Sequence, residues 1–166
     1  MKRLIAYPSV SLLMAALVLG PPLVSVTEAH SDHKSKSARS FVAGEPGDVR
    51  KPFRTVVIVM KDAGGSMSYA PDRIEVKKGE QIKFLIRNEG VIDHEFLLDS
   101  VANNARHKAE MEKDPDMAHE EPNGARLKPT ANHELLWHFS KAGTFEFACL
   151  LPGHYESGMK GMVVVK

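Results

Sequence analysis

The sequence predicts an all-β domain, a two-layer β-sandwich interrupted by one short, partly helical insertion. Three observations point to this class. Short runs rich in β-branched and aromatic residues recur between turn signals, as in Arg73-Ile74-Glu75-Val76, Gln81 to Asn88 and Thr144 to Cys149. Within them apolar residues alternate with polar ones, so that Ile82, Phe84 and Ile86 share one face. Only Asn103 to Pro129 breaks the β pattern for long.

The N-terminus is set apart from that domain. Lys2-Arg3 precede an apolar stretch strongest from Leu12 to Leu19, followed by Pro21-Pro22 and Thr27-Glu28-Ala29, which is the pattern of a cleavable secretory signal over residues 1–29. The apolar run is interrupted at Tyr7-Pro8-Ser9 and stops at Gly20-Pro21, short of the roughly 20 apolar residues a membrane span requires. The mature chain is therefore expected to be periplasmic and to contain no membrane span. Residues 30–51, rich in Ser, Lys, Gly and Asp, read as a flexible polar leader, and residues 52–166 as the folded domain. Removing residues 1–29 leaves 137 residues, enough for one domain with a sizeable core, carrying 20 basic and 20 acidic side chains. That balance offers no basis for nucleic acid or an anionic membrane surface as a partner.

Thr55 to Met60 is a β-branched run expected to be a strand buried on both faces, ended by Gly64-Gly65-Ser66. Arg73 to Val76 alternates, Lys77-Lys78-Gly79-Glu80 turns the chain, and Gln81 to Asn88 follows, closed by Asn88-Glu89-Gly90. Glu95 to Leu98 continues from His94 as another strand. In the insertion, Ala105 to Lys113 suits a short helix with a thin apolar face, ended by Asp114-Pro115. Strand-like sequence returns at Ala131 to Phe139 and Thr144 to Cys149, with Lys141-Ala142-Gly143 between them, and Met162 to Val165 is the last strand.

The residues that carry chemistry lie near the C-terminus. Cys149 is the only cysteine and begins a Cys-x4-His-x4-Met run that continues through His154 and Met159. An unpaired cysteine in an exported protein calls for an explanation other than a disulfide, and a metal-bound thiolate is one. On the strand assignment, His94 opens one strand and Cys149 ends another, while His154 and Met159 occupy the loop before the last, so all four can meet at one end of a sandwich. Two imidazoles, one thiolate and a weak thioether are the donors of a mononuclear copper electron-transfer site. Pro152-Gly153 suits a tight ligand loop, and Gly158 and Gly161 let the backbone around Met159 approach.

The stretch from Lys141 through Val165 resembles the C-terminal signature of plastocyanin/azurin-type cupredoxins, and Asp93-His94-Glu95-Phe96 is similar to their upstream ligand segment. The resemblance extends loosely from Thr55 to Lys166 and is closest to exported bacterial cupredoxins associated with copper tolerance. It implies a Greek-key β-sandwich holding one type 1 copper per chain, with His94, Cys149, His154 and Met159 as ligands. Two features depart from the family pattern. Many small blue-copper carriers have Asn after the first ligand histidine, where it helps tie the ligand loops together, and this chain has Glu95. The Cys-to-His spacing is also longer than in plastocyanin.

Other residues fit metal binding less specifically. His30 and His33 would stand at a new N-terminus and could capture copper there, although they read as solvated leader; His107, Met111, Met117 and His119 lie in the insertion and lack the spacing of a metal motif. His133 and His138 accompany Trp137 on a strand and read as structural or exposed, Met162 as a strand residue. Tyr155, Leu150 and Leu151 either form an apolar docking face around His154 or pack. One cysteine cannot build a CxxC zinc site or a doubly bridged dinuclear copper centre, and no His-x-His pair is present for a trinuclear cluster. Copper ligation would also occupy both members of a Cys149–His154 nucleophile pair. The expectation is thus a non-enzymatic, one-electron carrier working between partners such as a small cytochrome or a copper-containing reductase or oxidase. The alternative is a copper-sequestering or copper-tolerance protein whose task is binding.

Overall fold

In the computed structural model, which describes residues 41–115 and 121–166, ten strands form two five-stranded sheets. In chain order the strands are β1 (Glu45–Pro46), β2 (Arg54–Ala63), β3 (Ser66–Ala70), β4 (Arg73–Val76), β5 (Gln81–Asn88) and β6 (His94–Asp99). They continue, after helix α1 (Val101–Met111), with β7 (Gly124–Leu127), β8 (Asn132–His138), β9 (Gly143–Ala148) and β10 (Lys160–Val165). One sheet has the order β1-β8-β5-β2-β3 and the other β4-β10-β9-β6-β7. The chain crosses between sheets repeatedly, so that β2 pairs in parallel with β5 and β4 with β10 while the remaining neighbours are antiparallel. This is the expected β-sandwich.

The inner faces meet as the alternation requires. Ile82, Phe84 and Ile86 of β5 are fully buried, as are Ile58 and Met60 of β2, against Phe96 and Leu98 of β6 and Phe147 of β9. Phe96 stacks on Phe147 at 5.2 Å between centroids, and Tyr69 meets Phe147 edge-on at 5.1 Å, a geometry that aromatic quadrupoles favour. Beneath the ligand end, this aromatic core fixes how β6 and β9 approach.

Three expectations need correction. β2 is buried on one face only, with Val57 40% exposed, because its sheet has no second layer outside it. Residues 41–51 belong to the folded domain, which therefore begins before the expected boundary at residue 52. Phe41 packs edge-on against the buried Trp137, Trp137 Nε1 donates to the Ala43 carbonyl at 3.1 Å, and Glu45–Pro46 add a strand beside β8. A polar composition hid the two apolar residues that anchor the segment. Inside the insertion, Gly124–Leu127 pairs with β6, and the helix starts four residues early, where the Ser100 hydroxyl accepts from the Asn103 amide as an N-cap. The expected secretory signal, His30, His33, Met117 and His119 lie outside the described residues. Among the described residues no helix is long and apolar enough to cross a membrane.

Candidate metal centre

β6 and β9 are neighbours, with Leu98 opposite Phe147, so the first residue of one strand and the residue after the other reach the same end of their sheet. There His94, Cys149 and His154 bring one donor atom each to within 4.8 Å of one another. His154 Nδ1 lies 3.3 Å from Cys149 Sγ and 3.3 Å from His94 Nδ1. Donors bound to one ion at about 2.0–2.3 Å in a trigonal plane would stand roughly 3.5 Å apart. The observed separations therefore fit a single metal ion coordinated by two imidazoles and a thiolate. No other trio of His, Cys, Asp or Glu among the described residues meets the same test.

The downstream candidate ligands are set by the loop between β9 and β10. The amide of Cys149 donates to the Met159 carbonyl and the amide of Met159 to the His154 carbonyl, each at 3.1 Å, while His154 N donates to Leu151 O at 3.0 Å. The loop thus folds back on its own cysteine and places Met159, fully buried, beside the group. Gly153 and Gly158 take φ values of 82° and 100°, the left-handed region that the turn demands. Met162, by contrast, sits on β10 with Val164 on the less buried face. Leu150 and Leu151 are buried and pack, which leaves no docking face to them.

Glu95 supplies the tie between ligand segments that its departure from Asn had put in question. Its amide donates to Cys149 Sγ at 3.2 Å, and its buried carboxylate accepts from the Leu150 amide at 3.1 Å. The Tyr69 hydroxyl donates to the Glu95 carbonyl, so β3 holds the same residue from the opposite sheet. A second set of contacts braces the loop from β9 and the insertion. Tyr155 donates to Glu146 Oε1 at 3.0 Å, Asn104 of α1 donates to Glu146 Oε2 at 3.0 Å, and Lys108 pairs with Glu156 at 2.7 Å.

The electrostatics follow from burial. Burial pushes the Cys149 thiol up to about 12, opposed by the Glu95 and Leu151 amides. A thiolate at this position therefore needs a cation beside it. Burial also lowers the pKa of His154, and the neighbouring His94 lowers it further, which favours the neutral, ligating imidazole. On the far side of His94, Nε2 lies 2.9 Å from Asp62 Oδ2. Asp62 accepts as well from the Val91 and Ile92 amides; the Val91 bond holds its carboxyl below the usual value against the opposing effect of burial. Sequence reasoning missed Asp62, Glu95 and Tyr69 as parts of the centre. Only Glu95, next to the first histidine, carried a local signal.

The remaining candidates lie elsewhere. His138 pairs with Glu45 at 2.9 Å and His133 is on the same strand, and neither joins the donor group. Met111 is buried on α1, and His107 faces Glu110 at 3.7 Å.

Comparison with known proteins agrees with this geometry. The model for copper binding proteins of the plastocyanin/azurin family matches residues 56–166. The copper-resistant cuproprotein CopI of Rubrivivax gelatinosus is 43% identical over 145 residues, spanning 84% of this chain and 86% of that protein. CopI of Pseudomonas aeruginosa is 31% identical over 162 residues, spanning 80% of this chain and 87% of that one. Among solved structures, reduced auracyanin from Roseiflexus castenholzii superposes with a TM-score of 0.56 at 21% identity, covering 68% of this chain and 98% of that one, a likeness of fold. The chain belongs to the plastocyanin/azurin family and is a copper-binding cupredoxin.

Proposed function

We propose that the chain is an exported, periplasmic type 1 copper protein that carries single electrons, with His94, Cys149, His154 and Met159 as the residues that would hold the copper. Bound copper would supply the one-electron redox chemistry. The chain's own residues hold the donors still. The observation that carries this reading is the hydrogen-bonded frame around the thiol, in which the Glu95 amide reaches Cys149 Sγ while the Glu95 carboxylate takes the next amide along. A donor set held by the protein in both oxidation states rearranges little between them, and small rearrangement favours fast electron transfer. Partners of matching chemistry are a small cytochrome or a copper-containing reductase or oxidase, and the role is transfer rather than catalysis.

A second reading is favoured by the names of the relatives, which are copper-resistant cuproproteins. On it the chain serves copper tolerance by binding, and redox activity is incidental. One experiment separates the two. The mature protein is loaded with one equivalent of Cu(II), its visible and paramagnetic-resonance spectra are recorded, and its electron exchange with a small cytochrome is followed by stopped flow. An intense thiolate-to-copper band that disappears in Cys149→Ser, with fast exchange, supports the carrier. Slow exchange with more than one tightly held copper per chain supports sequestration, and retention of the band in Cys149→Ser would end the site assignment.

A further inference from the structure

We propose that Asp62 is a positioning residue for the copper centre, orienting His94 and stabilising the oxidised metal from the opposite sheet. The proposal rests on His94 being a ligand. Asp62 stands near the end of β2, a strand of the sheet that contributes none of the proposed ligands. Its Oδ2 lies 2.9 Å from His94 Nε2, and His94 is fully buried, so this carboxylate is what its outer nitrogen faces. An ionised carboxylate only accepts, hence the proton sits on His94 Nε2 and the lone pair is left on Nδ1, the nitrogen 3.3 Å from His154 Nδ1.

The surrounding backbone is shaped for this pair. Val91 N donates to Asp62 at 3.0 Å and Ile92 N at 3.2 Å, which fixes the carboxylate independently of the histidine. Gly90 lies against both groups: a β-carbon there would overlap the Asp62 carboxylate and stand 2.8 Å from His94 Nε2. A side chain at residue 90 would therefore displace one partner or the other. Beyond orientation, the carboxylate places a negative charge one imidazole away from the metal. It makes His94 a stronger donor and favours the higher-charged ion. Asp62 thus acts on the centre in two separable ways, through geometry and through charge.

Asp62→Asn separates them, since it keeps the shape and one accepting oxygen but removes the charge. Copper-loaded Asp62→Asn is expected to retain the thiolate-to-copper band while its Cu(II) affinity relative to Cu(I) falls about tenfold, a rise in reduction potential of about 59 mV for one electron. Asp62→Leu, which leaves His94 Nε2–H without an acceptor, is expected to lose Cu(II) affinity by about 10- to 100-fold. An unchanged potential in Asp62→Asn would overturn the proposal and leave Asp62 as a clamp on residues 90–92. Should the variants fail to fold, nitrogen-15 NMR of His94 in the metal-free wild-type protein, recorded at a pH where the ring is neutral, decides: the Nε2–H tautomer supports the assignment, and the Nδ1–H tautomer overturns it. Failure of the underlying site reading looks different, because the wild-type protein itself would then lack the thiolate-to-copper band.

Discussion

His94 enters the site from a strand and His154 from a turn, and different parts of the chain hold them. His94 is fully buried, begins β6 and has Asp62 of the other sheet on its outer nitrogen. His154 is only partly buried, and its backbone is fixed by bonds within its own loop, to Leu151 and from Met159. One histidine is an extension of the core. The other is the member of the group that meets solvent. The contrast shows how a single site combines rigidity with access.

Removing each imidazole would test that contrast and should give the largest effects. His94→Gly is expected to lose copper affinity by more than about 100-fold, beyond the loss of an outer partner alone, and free imidazole should not restore the visible band, because the vacated position lies in the core. His154→Gly should recover the band when imidazole is added. Equal rescue of both variants would mean that the difference in burial has no functional weight.

A smaller effect is expected where the two ligand segments are joined. Glu95→Ala leaves the buried Leu150 amide without its acceptor and should cost about 1–3 kcal/mol in denaturant unfolding of the metal-free protein. Glu95→Gln keeps an accepting oxygen and should cost less. If the alanine variant proves as stable as wild type, the tie between β6 and the cysteine loop is not made by Glu95.

The smallest effects belong to the brace that β9 and the insertion give the His154 loop. Tyr155→Phe removes one hydrogen bond to Glu146, worth about 1 kcal/mol. Lys108→Ala breaks ion pairs with Glu112 and Glu156, both more than half exposed, and should leave the unfolding midpoint unchanged, since such pairs contribute little. A larger loss from Lys108→Ala than from Tyr155→Phe would reverse this ranking and make the exposed pair the principal brace.

The parts legible beforehand were local ones. Ile82, Phe84 and Ile86 announce their shared face by period, and Cys149, His154 and Met159 are separated by so few residues that almost any loop would gather them. What escaped were elements whose reason lies far away in the chain. Glu45–Pro46 is a strand only because β8 offers an edge to it, and Gly124–Leu127 only because β6 does. Neither has a periodic signal long enough to read. The frame of the centre escaped for the same reason: 26 residues separate Tyr69 from Glu95, 32 separate Asp62 from His94, and 55 separate Glu95 from Leu150.

By itself, then, the sequence determined the all-β class, the alternation that fills the core and the donor types of the metal centre, because each depends on residue chemistry at short spacing. Only the tertiary structure decided that residues 41–51 join the domain, that Glu95 links the two ligand segments and that Asp62 stands behind His94. Those relations depend on the pairing of strands distant in the chain and on which side chains burial leaves facing each other, and neither is encoded in any local window.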